Sequence, residues 1–453
     1  MSRAAGGVTS WAESFTLPFA KQLRIPLAAP GSELSRNANV PIIASHPTGN
    51  ANTRQAVEAL ANAGLLAEFH TSIATFQESV LGQISGLPGL RELKRRGYAA
   101  PLQPFTRAHP WREGVRLVSL RFGWSALVER ERGWASIERV YKGVDKSVAR
   151  AVKRLKPDGV YCYEDGALET FSAARGIGAP CLYDLPIGYW RAARRILQDE
   201  AERRPEWAAT LGGLKDSAAK LNRKDEELQL ADRILVATTF TKQTLQECPF
   251  SLAPVSVVAY GADDSLPAAP RDAAGFGAGP LRILFVGGLS QRKGIADLFE
   301  GMDLLGSAVE LTVIGRKPTG VCAPLEAALG KYRWIDSLPR TQILEEMRRH
   351  DVLVFPSLFE GFGLVVTEAL SQGLPVITTP NTCGPDVLTN GEDGFIVPIR
   401  DPQMIAEKLE LLHRDRERLR AMSEAASQKA KTLTWESYRQ GVVAVVREAL
   451  AWA

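Results

Sequence analysis

Val352-Leu353-Val354-Phe355-Pro356-Ser357, followed closely by Glu360-Gly361-Phe362-Gly363-Leu364-Val365-Val366-Thr367-Glu368, is the stretch whose reading sets the fold. Four consecutive apolar residues that stop at Pro-Ser read as a strand buried on both faces, as in a parallel sheet covered by helices. The glycines at 361 and 363 allow a sharp turn and a close approach of backbone to a ligand. A helix is predicted from about Leu364. It is closed by Gly373, suited to the left-handed position after a last turn, and Pro375 opens the next strand, Val376-Ile377-Thr378. The loop therefore delivers Glu360 at the carboxyl end of a strand and Glu368 one helical step further on.

The same alternation extends in both directions. Downstream of a Gly/Pro-rich break (Pro267, Pro270, Gly275, Gly277, Gly279), strands are predicted at Leu281 to Val286, Val309 to Ile314 and Arg333 to Asp336, with helices between them. Upstream, Pro41 to Ser45, Gly159 to Tyr163, Pro180 to Tyr183, Arg233 to Ala237 and Val255 to Val258 are apolar strands separated mostly by helical segments. Two successive α/β domains follow, each a doubly wound Rossmann-like sheet. The predicted boundaries are an extension over 1–39, a first domain over 40–270, a linker over 271–280, a second domain over 281–430 and a terminal helical segment over 431–453, placed to pack back on the first domain.

A chain of 453 residues at 45% hydrophobic is long enough for two cores. The formal net charge of +4 is too small to imply a nucleic-acid partner. Residues 1–270 hold 34 Lys+Arg against 28 Asp+Glu, and the remainder 21 against 23, so the basic excess lies in the first half. No 18-residue apolar run or cleavable leader is seen, and a cytoplasmic protein is expected. Five scattered cysteines without a Cys-x-x-Cys spacing read as reduced thiols, neither a disulfide framework nor a metal site.

Ligand sites in such sheets lie outside the carboxyl ends of the strands. Three loops of the second domain carry chemistry there. Gly287-Gly288-Leu289-Ser290-Gln291-Arg292-Lys293-Gly294 offers Arg292 and Lys293 as a clamp for a diphosphate, the first as a fork and the second as a compact charge. Gly315, after the strand ending at Ile314, would let backbone approach a nucleobase. The third is the Glu360 loop, where one carboxylate can accept from sugar hydroxyls and Glu368 from a ribose. Solvated surface charges account equally simply for any one of these loops taken alone. A Walker A sequence and a dinucleotide fingerprint are both absent.

Phe285-Val286-Gly287 with Arg292-Lys293-Gly294, Phe355-Pro356-Ser357, the Glu360 and Glu368 pair, and Asn390-Gly391-Glu392-Asp393-Gly394 together resemble the nucleotide-sugar half of the retaining GT-B glycosyltransferases of family 4, the group 1 glycosyltransferases. Ala231 to Val236 and Tyr260 to Asp263 resemble the last strands of that family's first domain. The resemblance implies a GT-B fold, two Rossmann-like domains facing across a cleft. It implies that Lys293 and a neighbouring arginine hold the donor diphosphate, that Glu360 contacts the donor sugar, and that Glu368 contacts the ribose. Backbone of the Gly361, Phe362, Gly363 and Leu364 turn would help to bind sugar or phosphate. Many relatives have arginine at the Gly288 position, so the resemblance implies that Arg292 would have to supply the guanidinium here. Many place a histidine after a first-domain strand where this chain has Asp184, which becomes the candidate acceptor-orienting group.

Catalytic expectations thus fall on Arg292, Lys293, Glu360 and Asp184, with no cofactor beyond the nucleotide-sugar donor substrate. No Asp-x-Asp follows a predicted strand, so no metal ligand is assigned. The expected acceptor is a glycan, a lipid-linked glycan or a small molecule, met by the loops Thr48 to Asn52, Glu164 to Gly166 and Asp184 to Trp190. Basic segments at Arg91 to Arg96, Lys142 to Lys156 and Arg191 to Arg204 raise a peripheral contact with the inner membrane face. The alternative function is a sugar-nucleotide-binding protein without turnover. A glycosidase is disfavoured, since a hydrolase needs no cationic clamp for an anionic leaving group.

Overall fold

The computed structural model describes residues 42–77, 93, 96–262, 279–318 and 320–452. The extension over 1–39 and nearly all of the linker over 271–280 lie outside them. Seven strands form the first sheet: β1 (Ile42–Ser45), β2 (Leu66–Thr71), β3 (Thr106–Ala108), β4 (Val160–Tyr163), β5 (Cys181–Leu185), β6 (Arg233–Val236) and β7 (Val255–Val257). They are hydrogen-bonded in the order β3-β2-β1-β4-β5-β6-β7. The second sheet holds β8 (Leu281–Val286), β9 (Val309–Ile314), β10 (Arg333–Ile335), β11 (Val352–Phe355), β12 (Val376–Thr378) and β13 (Gly394–Ile396), in the order β10-β9-β8-β11-β12-β13. Every pairing in both sheets is parallel.

Parallel strands covered on both faces must be apolar throughout, and β11 and β4 are buried at all four positions. The strand order reverses between β1 and β4 and again between β8 and β11, where Val352 and Leu353 pair with Ile283 and Leu284. At such a switch point the loops leave in opposite directions and open a crevice. In the second domain the two loops concerned are those carrying Arg292-Lys293 and Glu360.

Sequence reading assigned no strand to β2 or β3. In β2, Glu68 and His70 alternate with apolar residues, yet both are buried. Their charge and polarity are satisfied across the edge of the sheet. Glu68 accepts from Arg107 Nε at 3.0 Å and from Arg154 Nη2 at 3.3 Å, while the His70 and His109 rings share a 2.9 Å hydrogen bond. The partners are 39 and 86 residues away from Glu68, so the pattern could not be read locally.

The terminal helix Trp435–Ala451 lies on the first domain. Ala262 N donates to Leu433 O at 2.8 Å, the Tyr260 ring sits 5.4 Å from that of Tyr438, and Arg439 donates to Gln55 on the helix Ala51–Asn62. Gly261 has to be glycine here, because a Cβ would meet Trp435 N at 2.2 Å.

Candidate functional site

After β8 the chain forms a short turn, Gln291–Lys293, capped by Ser290, whose side chain accepts from Arg292 N at 3.2 Å. Gly294 follows with φ of +69°, and a Cβ on it would lie 2.0 Å from Pro356 O. Only glycine permits both the left-handed conformation and this backbone contact. The turn is thereby seated on the end of β11, where Ser357 Oγ and Leu358 N donate to Arg292 O at 3.1 and 2.9 Å. Arg292 and Lys293 are consequently held against the Glu360 loop from the moment the two strands pair.

Their side chains meet there. Arg292 Nη1 donates to Phe359 O at 2.6 Å and lies 3.4 Å from Glu360 Oε2, the same oxygen to which Lys293 Nζ donates. Lys293 Nζ also sits 4.7 Å from the centre of the Phe355 ring. The Lys293 and Glu360 side chains are each 13% exposed and that of Arg292 28%, so two cations and one carboxylate share a pocket that is partly screened from water. Burial, reinforced by the neighbouring Arg292 charge, pushes the Lys293 pKa well below the usual lysine range. Burial likewise lowers that of Arg292. Both cations would be relieved by an added anion, since one carboxylate cannot neutralise two charges.

Gly361 packs on the first domain. A Cβ there would lie 1.9 Å from Pro186 O, and its carbonyl accepts from Thr238 Oγ1 and Thr241 Oγ1 at 3.1 and 3.2 Å. Phe362 is buried, with its ring 4.9 Å from that of Tyr260. Gly363, at φ of +89°, precedes the helix Leu364–Ser371, and Val366 N of its first turn donates back to Gly363 O at 2.8 Å. Gly287 and Gly315 are in direct backbone contact: Gly287 N donates to Ile314 O at 2.9 Å, and a Cβ on Gly315 would lie 1.7 Å from Gly287 O. Glycine at 315 is thus required by packing of the two loops.

Glu368 is set apart from the ion cluster. Its carboxylate accepts from Arg340 Nε at 2.8 Å, on the helix Arg340–Arg349. Asp184, near the end of β5, is 4% exposed and accepts from Tyr161 OH at 2.6 Å. Burial pushes its pKa up to about 7, although the Tyr161 and Tyr163 hydroxyls favour the carboxylate. It belongs to a buried tyrosine cluster with Tyr260 and Tyr438, while the loop that follows it, at Pro186, touches Gly361.

Contacts between the domains escaped the sequence reading. Gln291, fully buried, donates from its side chain to Glu200 Oε1 at 2.7 Å and from its backbone to Thr210 Oγ1 at 3.0 Å. Glu200, also fully buried, accepts from Arg400 Nε at 2.6 Å. Asp386 accepts from Thr239 N at 3.1 Å. A polar residue beside the Arg-Lys pair was the only local signal for Gln291. The basic stretch Arg191–Arg204 is largely spent on internal ion pairs, Arg191 with Asp225, Arg195 with Glu247, and Arg203 and Arg204 with Glu200 and Asp297.

Comparison with known proteins bears on the family and the fold. Residues 270–429 match the family described as Glycosyl transferases group 1. A capsular polysaccharide biosynthesis glycosyltransferase of Staphylococcus aureus is 35% identical over 145 residues, 29% of this chain and 37% of that protein. Two solved structures share the fold: sucrose-phosphate synthase from Thermosynechococcus elongatus, with TM-score 0.63 at 16% identity, covering 91% of this chain and all of that one, and HepE of Anabaena in complex with UDP, with TM-score 0.59 at 12% identity, covering 90% and 100%. The matched stretches span 16 to 37% of the length of the first curated relatives. Residues 270–429 are therefore similar to the group 1 glycosyl transferases, and the whole has a GT-B fold of two Rossmann-like domains.

Proposed function

We propose that this protein transfers a sugar from a nucleotide-sugar donor to a hydroxyl of a glycan, a lipid-linked glycan or a small molecule, with retention of anomeric configuration. The observation that carries the reading is the pair of half-buried cations, Arg292 and Lys293, balanced by the carboxylate of Glu360 at the switch point of the second sheet. As the glycosidic bond to phosphate breaks, negative charge grows on the departing diphosphate. Fixed cations in a partly screened loop stabilise that charge more than the ground state, which is what lowers a barrier. Glu360, released from the cations in exchange, then accepts from sugar hydroxyls in this reading. Retention follows if the acceptor hydroxyl attacks from the face the diphosphate leaves, with a phosphate oxygen taking its proton. The loop after β5, which already touches Gly361, brings the first domain to the donor.

UDP is the first nucleotide to try, since the HepE structure of the same fold holds it. Thermal unfolding with a panel of UDP-, GDP- and ADP-sugars is expected to show a raised midpoint with one base, on the order of 2.7 kcal/mol of stabilisation at a hundredfold excess over Kd. Nucleotide release with an acceptor panel should follow for that donor. The absence of stabilisation by every nucleotide sugar contradicts the proposal. Because the charge role falls on side chains, turnover should be unchanged by EDTA; loss of turnover that manganese or magnesium restores would assign the leaving group to a metal.

A further inference from the structure

Two apolar residues, Leu358 and Phe359, stand in the loop between Ser357 and Glu360, where a segment leaving the end of a strand would otherwise face water. Both are buried, at 0% and 1% exposure, yet neither joins the core that holds Phe355 and Phe362. They pack instead with Ala192 and Ile196 of the helix Trp190–Arg203 and with Phe240 of the helix Thr239–Thr244, all in the first domain. The Phe359 and Phe240 rings meet edge to face, with 5.4 Å between their centres. Gly188 lies against the tip of the ring, where a Cβ would come within 2.5 Å of Phe359 Cζ. The ring is therefore a knob of the second domain seated in a close-fitting socket of the first.

The backbone of the same residue holds Arg292. Phe359 O accepts from Arg292 Nη1 at 2.6 Å, and Phe359 N donates to Arg292 O at 3.4 Å beside the 2.9 Å bond from Leu358 N. Arg292 Nη1 lies in turn 3.4 Å from Glu360 Oε2. The first domain thus grips the ring, and the two peptide groups flanking that ring grip a cation of the second domain. Ring and peptide share one Cα, so lifting the ring from its socket displaces the carbonyl that fixes the guanidinium. A misplacement of about 1 Å, introduced far from the reacting atoms, can cost roughly 100-fold in rate. Seating of the first domain is by this route converted into the position of Arg292.

We infer that Phe359 is a positioning residue, whose ring, seated in the first domain, sets Arg292 for the departing diphosphate. Its effect on rate rests on the transfer reading above, whereas the linkage from socket to cation rests on geometry alone, so two measurements separate them. The first is hydrogen–deuterium exchange of the unliganded full chain, read as protection of the Leu358 and Phe359 amides that bond Arg292 O. Phe359→Ala empties the socket, while Gly188→Ala, a change in the first domain, pushes on the ring without leaving a cavity and carries the test should Phe359→Ala fail to fold. Protection is expected to fall about tenfold in both, and by less than about threefold in Phe359→Leu, which keeps an apolar knob. Wild-type protection in Gly188→Ala overturns the linkage, whether or not any donor is turned over. The second measurement is kcat with saturating donor and acceptor, beside Kd for the donor's nucleoside diphosphate. In Phe359→Ala and Gly188→Ala kcat is expected to fall about 10- to 100-fold and to recover in Phe359→Leu, with Kd changed by less than about threefold, a split that loss of folded protein would not produce. Wild-type kcat in a folded Phe359→Ala or Gly188→Ala variant overturns the positioning role. A wild-type chain that binds no nucleotide sugar removes the transfer reading and the role in rate with it, and exchange then decides the linkage alone.

Discussion

At the residue scale, Asp184 shows how burial redirects a group that sequence marks as reactive. Its folded pKa of about 7 lies above the ordinary carboxyl value of 3.8, so the native state binds the proton more tightly than the unfolded chain. The stability it contributes is present below the unfolded pKa and is lost as pH rises from about 4 to about 7. Asp184→Asn, which keeps an acceptor for Tyr161, should therefore stabilise the protein at neutral pH by on the order of 3 kcal/mol. The difference from wild type should vanish near pH 4. Urea midpoints across this range test the prediction, and a difference that does not grow with pH refutes it. That Asp184 lies near the end of a first-domain strand could be read from sequence, although β5 runs through it to Leu185 where the expected strand stopped at Tyr183. What surrounds it could not, because Tyr438 comes from the far end of the chain.

Elements were legible wherever burial and periodicity agree. β11 is a continuous apolar run, β8, β9 and β12 are apolar apart from Arg282, Glu310, Thr312 and Thr378, and glycines lie in the loops that follow β8, β9 and β11. β2 is hidden because its buried Glu68 and His70 imitate a surface strand or a loop. The glycines themselves were only half legible: sequence gives their presence, and the structure gives their reason. Gly315 fits against Gly287 O, and Gly294 fits against Pro356 O. Gly294→Ala combines an unfavourable φ of +69° with a backbone collision, and should cost about 2–3 kcal/mol. It should also weaken nucleotide binding, since the Arg292-Lys293 turn must lift from β11. Denaturant midpoints and nucleotide titration measure both effects; a variant with native stability and affinity would contradict this account of the loop.

The whole molecule is tied together by polar contacts between domains, and these were not legible in the sequence at all. Glu200 sits fully buried among Arg400, Arg204 and Gln291, so it links the first domain to the turn that carries the cations. Removing one partner of such a buried cluster leaves uncompensated charge. Glu200→Ala should cost about 3–5 kcal/mol and split a single calorimetric transition into two, one for each domain. One unaltered transition would show that the domains are held by other means. The same contacts place Thr238, Thr241 and Pro186 of the first domain on the Glu360 loop, so the two Rossmann-like sheets meet where donor and acceptor chemistry is proposed.

The central claim is that Arg292 and Lys293 receive the charge of the departing diphosphate. Turnover of Lys293→Met with saturating donor addresses it most directly, because the methionine fills the space beside Phe355 while removing the charge and its bond to Glu360. The account predicts a fall in kcat of about 10²–10³-fold, the loss typical of a group that stabilises developing negative charge. An unchanged kcat with saturating donor would contradict it.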